Sequence, residues 1–146
     1  VVGTGGLTVN GMLTLNQNDL IAQSGSWSSI NGLAISGHLT LPGTNGGNTT
    51  LGIMPNNGGS GMTAIKPTFD SITVTYADIL VKYTYVGDAN LDGHVDGSDY
   101  SLIDNGYNNH LTGWYNGDFN YDGVVDGADY TLIDNQYNTD PNAPGL

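Results

Sequence analysis

Two acidic segments carry residue types at a spacing that could do chemistry. Residues 87–108 read GDANLDGHVDGSDYSLIDNGYN, and residues 117–138 read GDFNYDGVVDGADYTLIDNQYN. They are thirty residues apart and match at 16 of 22 positions. In the first, Asp88, Asn90 and Asp92 stand at positions 1, 3 and 5 of a twelve-residue loop. Gly93 takes the sharp turn at position 6, Asp96 falls at position 9 and Asp99 at position 12. The second repeats this with Asp118, Asn120, Asp122, Gly123, Asp126 and Asp129. His94 and Val124, at position 7, offer only a backbone carbonyl. Such spacing wraps oxygen donors round one point, which is what Ca²⁺ requires with its six to eight oxygen ligands. A chance pair of Asp-Gly turns would not repeat all five side-chain positions and the glycine in register. The segments therefore read as two Ca²⁺ sites.

Position 12 is Asp where Glu is usual, so the helix that follows must sit closer for the shorter arm to reach the ion. Each loop crowds four carboxylates together. The expectation is a segment loosened or unfolded without metal, because metal binding and folding are then one process. Behind each loop runs an apolar pattern: Tyr100, Leu102, Ile103 and Tyr107, then Tyr130, Leu132, Ile133 and Tyr137. It predicts a helix of two to three turns starting near position 10. ILVKYTYV and HLTGWYN lead into the loops, and neither reads as a helix. A loop with one helix is not the paired-helix device of a calcium sensor, so the metal reads as structural.

These duplicated loop–helix units resemble a type I dockerin domain over about residues 87–138. The run DILVKYTYVGDANLDG is also similar to the C-terminal ends of large bacterial surface proteins, in which β-strand repeats precede a dockerin-like end. The first resemblance implies two helices packed antiparallel about a pseudo-twofold axis. It also implies docking onto a cohesin-like receptor through the positions matched by Gly97, Ser98, Gly127 and Ala128. The helices read LIDNGYN and LIDNQYN, without the Lys/Arg pair common in cellulosomal dockerins.

Composition sets the outer bounds. The 146 residues suffice for one ordinary domain or two small ones. There are 23 Gly and no Cys, Glu or Arg, and Lys66 and Lys82 are the only bases. The absence of Cys removes disulfides, thiolate metal sites and cysteine catalysis. Of the net charge of −12, residues 88–146 carry −11, from eleven Asp, and residues 1–87 carry −1. Aromatic and aliphatic residues between the Asp argue against a disordered acidic tail. With no basic patch to meet phosphates, nucleic acid is disfavoured as a partner, and none is expected. No apolar run reaches the length of a membrane span, and no signal-type segment opens the chain.

Residues 1–86 read as mainly β. Leu7, Val9, Leu13 and Leu15 alternate with polar residues around a turn at Asn10 and Gly11. Further strands are expected over residues 19–24, 49–54, 71–76 and 79–86. A short helix is expected over residues 28–36, capped by Ser28 or Ser29 and stopped at Gly37. The apolar content is thin for a closed sandwich. The region fits a sandwich-like fold that takes a strand from another chain, or the cap of a longer β stack. The domains expected are residues 1–86 (β-rich), 87–138 (dockerin-like, α) and 139–146 (tail).

No catalytic constellation stands out. His38, His94 and His110 form no zinc spacing, and GGSG at residues 58–61 reads as a loop. Asp19, Asp70 and Asp78 are the acids left over from the calcium loops, and no spacing pairs them for glycoside hydrolysis. Trp27, Trp114, Tyr83, Tyr85, Tyr107, Tyr115 and Tyr137 could line a sugar-binding or interface surface, although core packing is their commoner use. Asn48, Thr49 and Thr50 form a lone glycosylation sequon that chance explains. The favoured reading is a non-enzymatic extracellular or cell-surface structural protein. Its two Ca²⁺ would stabilise one subunit of a surface assembly or filament, joined to its neighbours by exchange of residues near 1–15. The alternatives are a dockerin-type module anchored to a cohesin-like receptor, and a carbohydrate-binding module.

Overall fold

The computed structural model describes residues 2–4, 12–15, 18–36, 38–40 and 48–139. The turn expected at Asn10 and Gly11, the helix stop at Gly37 and the tail from residue 140 lie outside them. Strands and three α-helices make a mixed architecture. The strands are β1 (Val2–Thr4), β2 (Leu13–Thr14), β3 (Leu20–Gln23), β4 (Leu39–Thr40), β5 (Thr49–Pro55), β6 (Thr68–Phe69), β7 (Ile72–Thr73) and β8 (Ile79–Tyr85). The helices are α1 (Trp27–Ile35), α2 (Gly97–Asn109) and α3 (Gly127–Thr139). Among the described residues, no helix is long and apolar enough to cross a membrane.

The chain gathers into two compact units, residues 1–43 with 53–82, and residues 44–52 with 83–146. The division falls inside β5 and β8. The main sheet has the strand order β1-β3-β8-β5.

In the first unit β1 runs parallel to β3, with Val2 opposite Ile21. β3 runs antiparallel to β8, with Leu20 opposite Val81 and Ala22 opposite Ile79. Leu20, Ile21, Ala22, Leu80 and Val81 are all buried, on both faces of their strands. This is why LIA and ILV read as continuous apolar runs and not as alternation. β2 pairs with β4 in parallel. α1 begins one residue before the expected start, with Ser26 at its N-cap, and buries Ile30. Of the strand expected over residues 71–76, only Ile72–Thr73 forms, in a small antiparallel pair with Thr68–Phe69. Asp70 and Ser71 link the two with φ of 49° and 65°, left-handed values that turn the chain back at once.

The second unit is built on α2 and α3, each of 13 residues and so longer than the two to three turns expected. Both begin at position 10 of their loops, as the apolar pattern predicts. The lead into the second loop is not wholly irregular. Trp114–Asn116 forms a 3₁₀ turn, in which the Asn116 amide donates to the Gly113 carbonyl. Burial of Trp114 fixes this turn, and no hydrophobic periodicity announces it.

Candidate metal loops

The two loops share most of their internal hydrogen bonds and differ at position 5, where the Asp92 amide donates to Asp88 and the Asp122 amide to Asn120. Asp88 accepts from the amides of Asp92 (3.0 Å) and Gly93 (2.9 Å), and Asp118 accepts from that of Gly123 (3.2 Å). Asp99 reaches back to the loop entrance, accepting from Ala89 (2.8 Å) and Asn90 (3.3 Å) through Oδ1 and from Asp96 (2.9 Å) through Oδ2. Asp129 does the same with Phe119, Asn120 and Asp126. The short arm at position 12 is thus drawn fully inward, and Asp99 and Asp129 are both buried. At position 9 Asp96 caps α2 by accepting from the Ser98 amide, with Asp99 completing the capping box. Asp126 accepts from Ala128 in the same way.

Burial sets the electrostatics. It pushes the Asp99 carboxyl up to about 7, aided by the charges of Asp88 and Asp92 and opposed by the amides of Asp96 and Asn90. Asp88, Asp118 and Asp129 are likewise raised, chiefly by burial. Asp96 is lowered by its hydrogen bonds from Ser98. Asp92, Asp122 and Asp126 stay at the surface.

Among the described residues, no group of three or more Asp, Glu, His or Cys side chains is gathered closely enough to hold a metal ion. The sequence-predicted ligands are brought to their loops but turned onto backbone amides. Two oxygens are left over. Asn90 Oδ1 and Asp118 Oδ1 are buried without a hydrogen-bond partner, and among the described residues Asn31 Oδ1 is the one comparable side-chain oxygen elsewhere. An orphaned buried oxygen costs roughly 1–3 kcal/mol. Both loop oxygens belong to predicted ligand positions, 3 and 1. Hard oxygen donors and buried carboxylates held against their own charge are a donor set that suits a divalent cation.

The loops are tied together reciprocally. Gly87, with φ of 100°, lies against Ile133 of α3, and Gly117, with φ of 101°, lies against Ile103 of α2. A Cβ on Gly117 would strike Ile103 at 2.5 Å, and one on Gly87 would crowd Ile133 at 3.0 Å. Tyr100 donates to Asp134, and Tyr130 to Asp104, both at 2.5 Å. The Tyr100–Tyr137 and Tyr107–Tyr130 rings meet edge to face. Each helix start thus meets the other helix's later turns, so α2 and α3 run antiparallel. The phenol of Tyr130 is raised to about 12, and that of Tyr100 is raised further, by burial and by the carboxylate each faces.

Sequence reading missed position 4. Leu91 and Tyr121 occupy it, with left-handed φ of 58° and 60°. Both side chains reach the first residues of β5, which lie in the same compact unit. Tyr121 donates to the Leu51 carbonyl at 2.7 Å. A Cβ on Gly52 would come within 2.5 Å of Leu91 and 2.8 Å of Trp114. Trp114 stacks on Tyr121 and donates to the Asp88 carbonyl at 2.7 Å. A bulky apolar residue in both copies of a polar loop was the available signal.

The leftover acids fall into two places. Asp19 and Asp70 flank Lys82, at 2.9 and 3.8 Å. Burial and the adjacent Asp19 raise the Asp70 carboxyl, against the pull of Lys82. Asp78 is buried and accepts from the amides of Ser24 and Thr75. No family model, no curated protein and no solved structure matches the chain.

Proposed function

We propose that this chain is a non-enzymatic extracellular structural protein whose dockerin-like part is stapled by two Ca²⁺. The observation that carries this is the duplicated loop lattice, with a buried, unpartnered ligand oxygen in each copy. In the first loop Asp88, Asn90, Asp92, Asp96, Asp99 and the His94 carbonyl would hold the ion. In the second, Asp118, Asn120, Asp122, Asp126, Asp129 and the Val124 carbonyl would do so. Calcium supplies positive charge where burial disfavours carboxylates. The reciprocal Gly–Ile and Tyr–Asp contacts hold the two loops as one body, which suits a staple better than a sensor. A chain without Cys can use millimolar extracellular calcium in the role that disulfides play elsewhere.

The assembly part of the reading rests on β1. It is a three-residue strand at the sheet edge, paired with β3. So short an edge strand is easily supplied by a second copy of the chain. Sizing by light scattering with calcium and with chelator, on the full chain and after deletion of residues 1–15, tests both parts. Calcium-dependent assemblies that disappear on deletion are expected. A monodisperse monomer at high concentration with calcium would overturn the assembly. An unchanged far-UV circular dichroism spectrum and melting temperature on chelation would overturn the staples. The antiparallel helix pair favours a second reading, anchorage to a cohesin-like receptor, which pull-down from an extracellular fraction distinguishes by recovering a distinct receptor.

A further inference from the structure

We propose that the first unit carries a binding cleft for a neutral saccharide chain, at the end of the sheet where β3 and β5 finish and β8 begins. The cleft has a volume of about 380 Å³ and is lined by Trp27, Tyr76, Ser24, Asn57, Pro55 and their neighbours. That is within the size range of small-ligand sites.

Two buried polar side chains fix its walls. Asp78 is 3% exposed and ties two segments together, accepting from the Ser24 amide at 2.9 Å and the Thr75 amide at 2.7 Å. Its own carbonyl accepts from the Asn56 amide. Asn56 is fully buried. Its Oδ1 accepts from the Lys66 amide, and its Nδ2 donates to the carbonyls of Lys66 and Thr75. Burying a carboxylate and an amide is costly unless each is fully bonded. Here both hold connecting segments in place, with no strand or helix ladder of their own. Ser24 turns with φ of 50°, and a Cβ on Gly25 would meet Ala22 at 2.9 Å. The loops are therefore pre-set, which lowers the entropy lost on binding.

The lining selects the ligand. Trp27 is half-buried at the start of α1, and Tyr76 is 42% exposed. Aromatic faces of this kind take the C–H face of a sugar ring. Ser24 adds a hydroxyl, and Asn57 keeps one amide hydrogen and one oxygen lone pair beyond its bonds to the Gly61 carbonyl and the Gly59 amide. No lining residue is charged at neutral pH, and the Asp78 oxygens are both engaged behind the wall. A charged ligand would find no counter-ion, and a purely hydrocarbon ligand would strip water from Ser24 and Asn57. An uncharged polyhydroxylated chain with apolar faces fits both constraints.

The inference does not rest on the calcium reading. The test is titration calorimetry on the calcium-loaded full chain, with cellohexaose, xylohexaose, mannohexaose and laminarihexaose, and with hexagalacturonate as the charged control. At least one neutral hexasaccharide is expected to bind, and hexagalacturonate is not. Trp27→Ala and Tyr76→Ala should each weaken binding about tenfold or more. If Trp27→Ala fails to fold by melting temperature, Tyr76→Ala decides alone. The proposal is overturned if no neutral hexasaccharide binds, if hexagalacturonate binds equally well, or if folded variants bind as the parent does.

Discussion

The metal-free protein should grow more stable as the solution is acidified from pH 8 to pH 5, and the calcium-loaded protein should do the reverse. Asp99 is fully buried, and burial pushes its carboxyl from 3.8 up to about 7 in the fold. A group raised on folding contributes its stability below the unfolded value and loses it as pH rises through the folded one. At 1.36 kcal/mol per pH unit, the charged form at pH 8 costs the metal-free fold on the order of 4 kcal/mol, of which more than half is recovered by pH 5. Asp88, Asp118 and Asp129 are shifted in the same direction. Calcium requires the deprotonated ligands, so protons compete with it and the loaded form weakens on acidification. Urea denaturation at pH 5, 6, 7 and 8, with chelator and with excess calcium, reads both slopes. Asp99→Asn should reduce the slope of the chelator curve, leaving the part that Asp88, Asp118 and Asp129 contribute. A metal-free stability that rises steadily from pH 5 to pH 8 would refute the account.

Other outcomes follow from contacts in the second unit. Gly106→Ala places a Cβ inside the Asn116 carbonyl, and should lower stability by about 1–3 kcal/mol in thermal melts with calcium present. Gly52→Ala drives a methyl into Leu91 and Trp114, and should destabilise by a similar amount while raising the calcium needed for half-saturation. Tyr121→Phe removes the bond to the Leu51 carbonyl, and should cost about 1 kcal/mol in the same melts. In ultraviolet titration Tyr130 should ionise near pH 12, and Asp104→Asn should bring it back toward 10 by removing the facing carboxylate.

What the sequence made legible was whatever repeats locally. Position 10 predicted the first residue of both helices, because the Asp at position 9 caps and the next apolar residues fall at helical spacing. Strand β8 was readable from dense Val, Ile, Thr and Tyr, and β5 from its place between two Gly- and Asn-rich loops. The strand expected over residues 71–76 was cut short for a local reason, since Asp70 and Ser71 adopt left-handed turns and fold Ile72–Thr73 straight back onto Thr68–Phe69. Long-range partners were illegible. Nothing in residues 88–99 announces that Asp88 would receive Trp114, or that Leu51 would meet Tyr121. Such contacts depend on which strand the loops rest against, and a single sequence carries no pattern for that.

Position 4 connects the candidate metal loops to the rest of the second unit. A non-glycine residue held left-handed costs roughly 1–3 kcal/mol, yet both loops keep a bulky side chain there, Leu91 and Tyr121. Glycine would relieve the backbone and lose the contact. The strained conformation turns each side chain toward the start of β5, next to the Trp114 ring. Whatever orders positions 1, 3 and 5 therefore also fixes the residue between them that grips the strand. Leu91→Gly and Tyr121→Gly separate the two effects. Each should relax its loop's backbone and loosen residues 49–52. Hydrogen exchange should show faster amides in that strand while α2 and α3 remain protected. Equal acceleration across all three would mean that position 4 serves only the fold of its own loop.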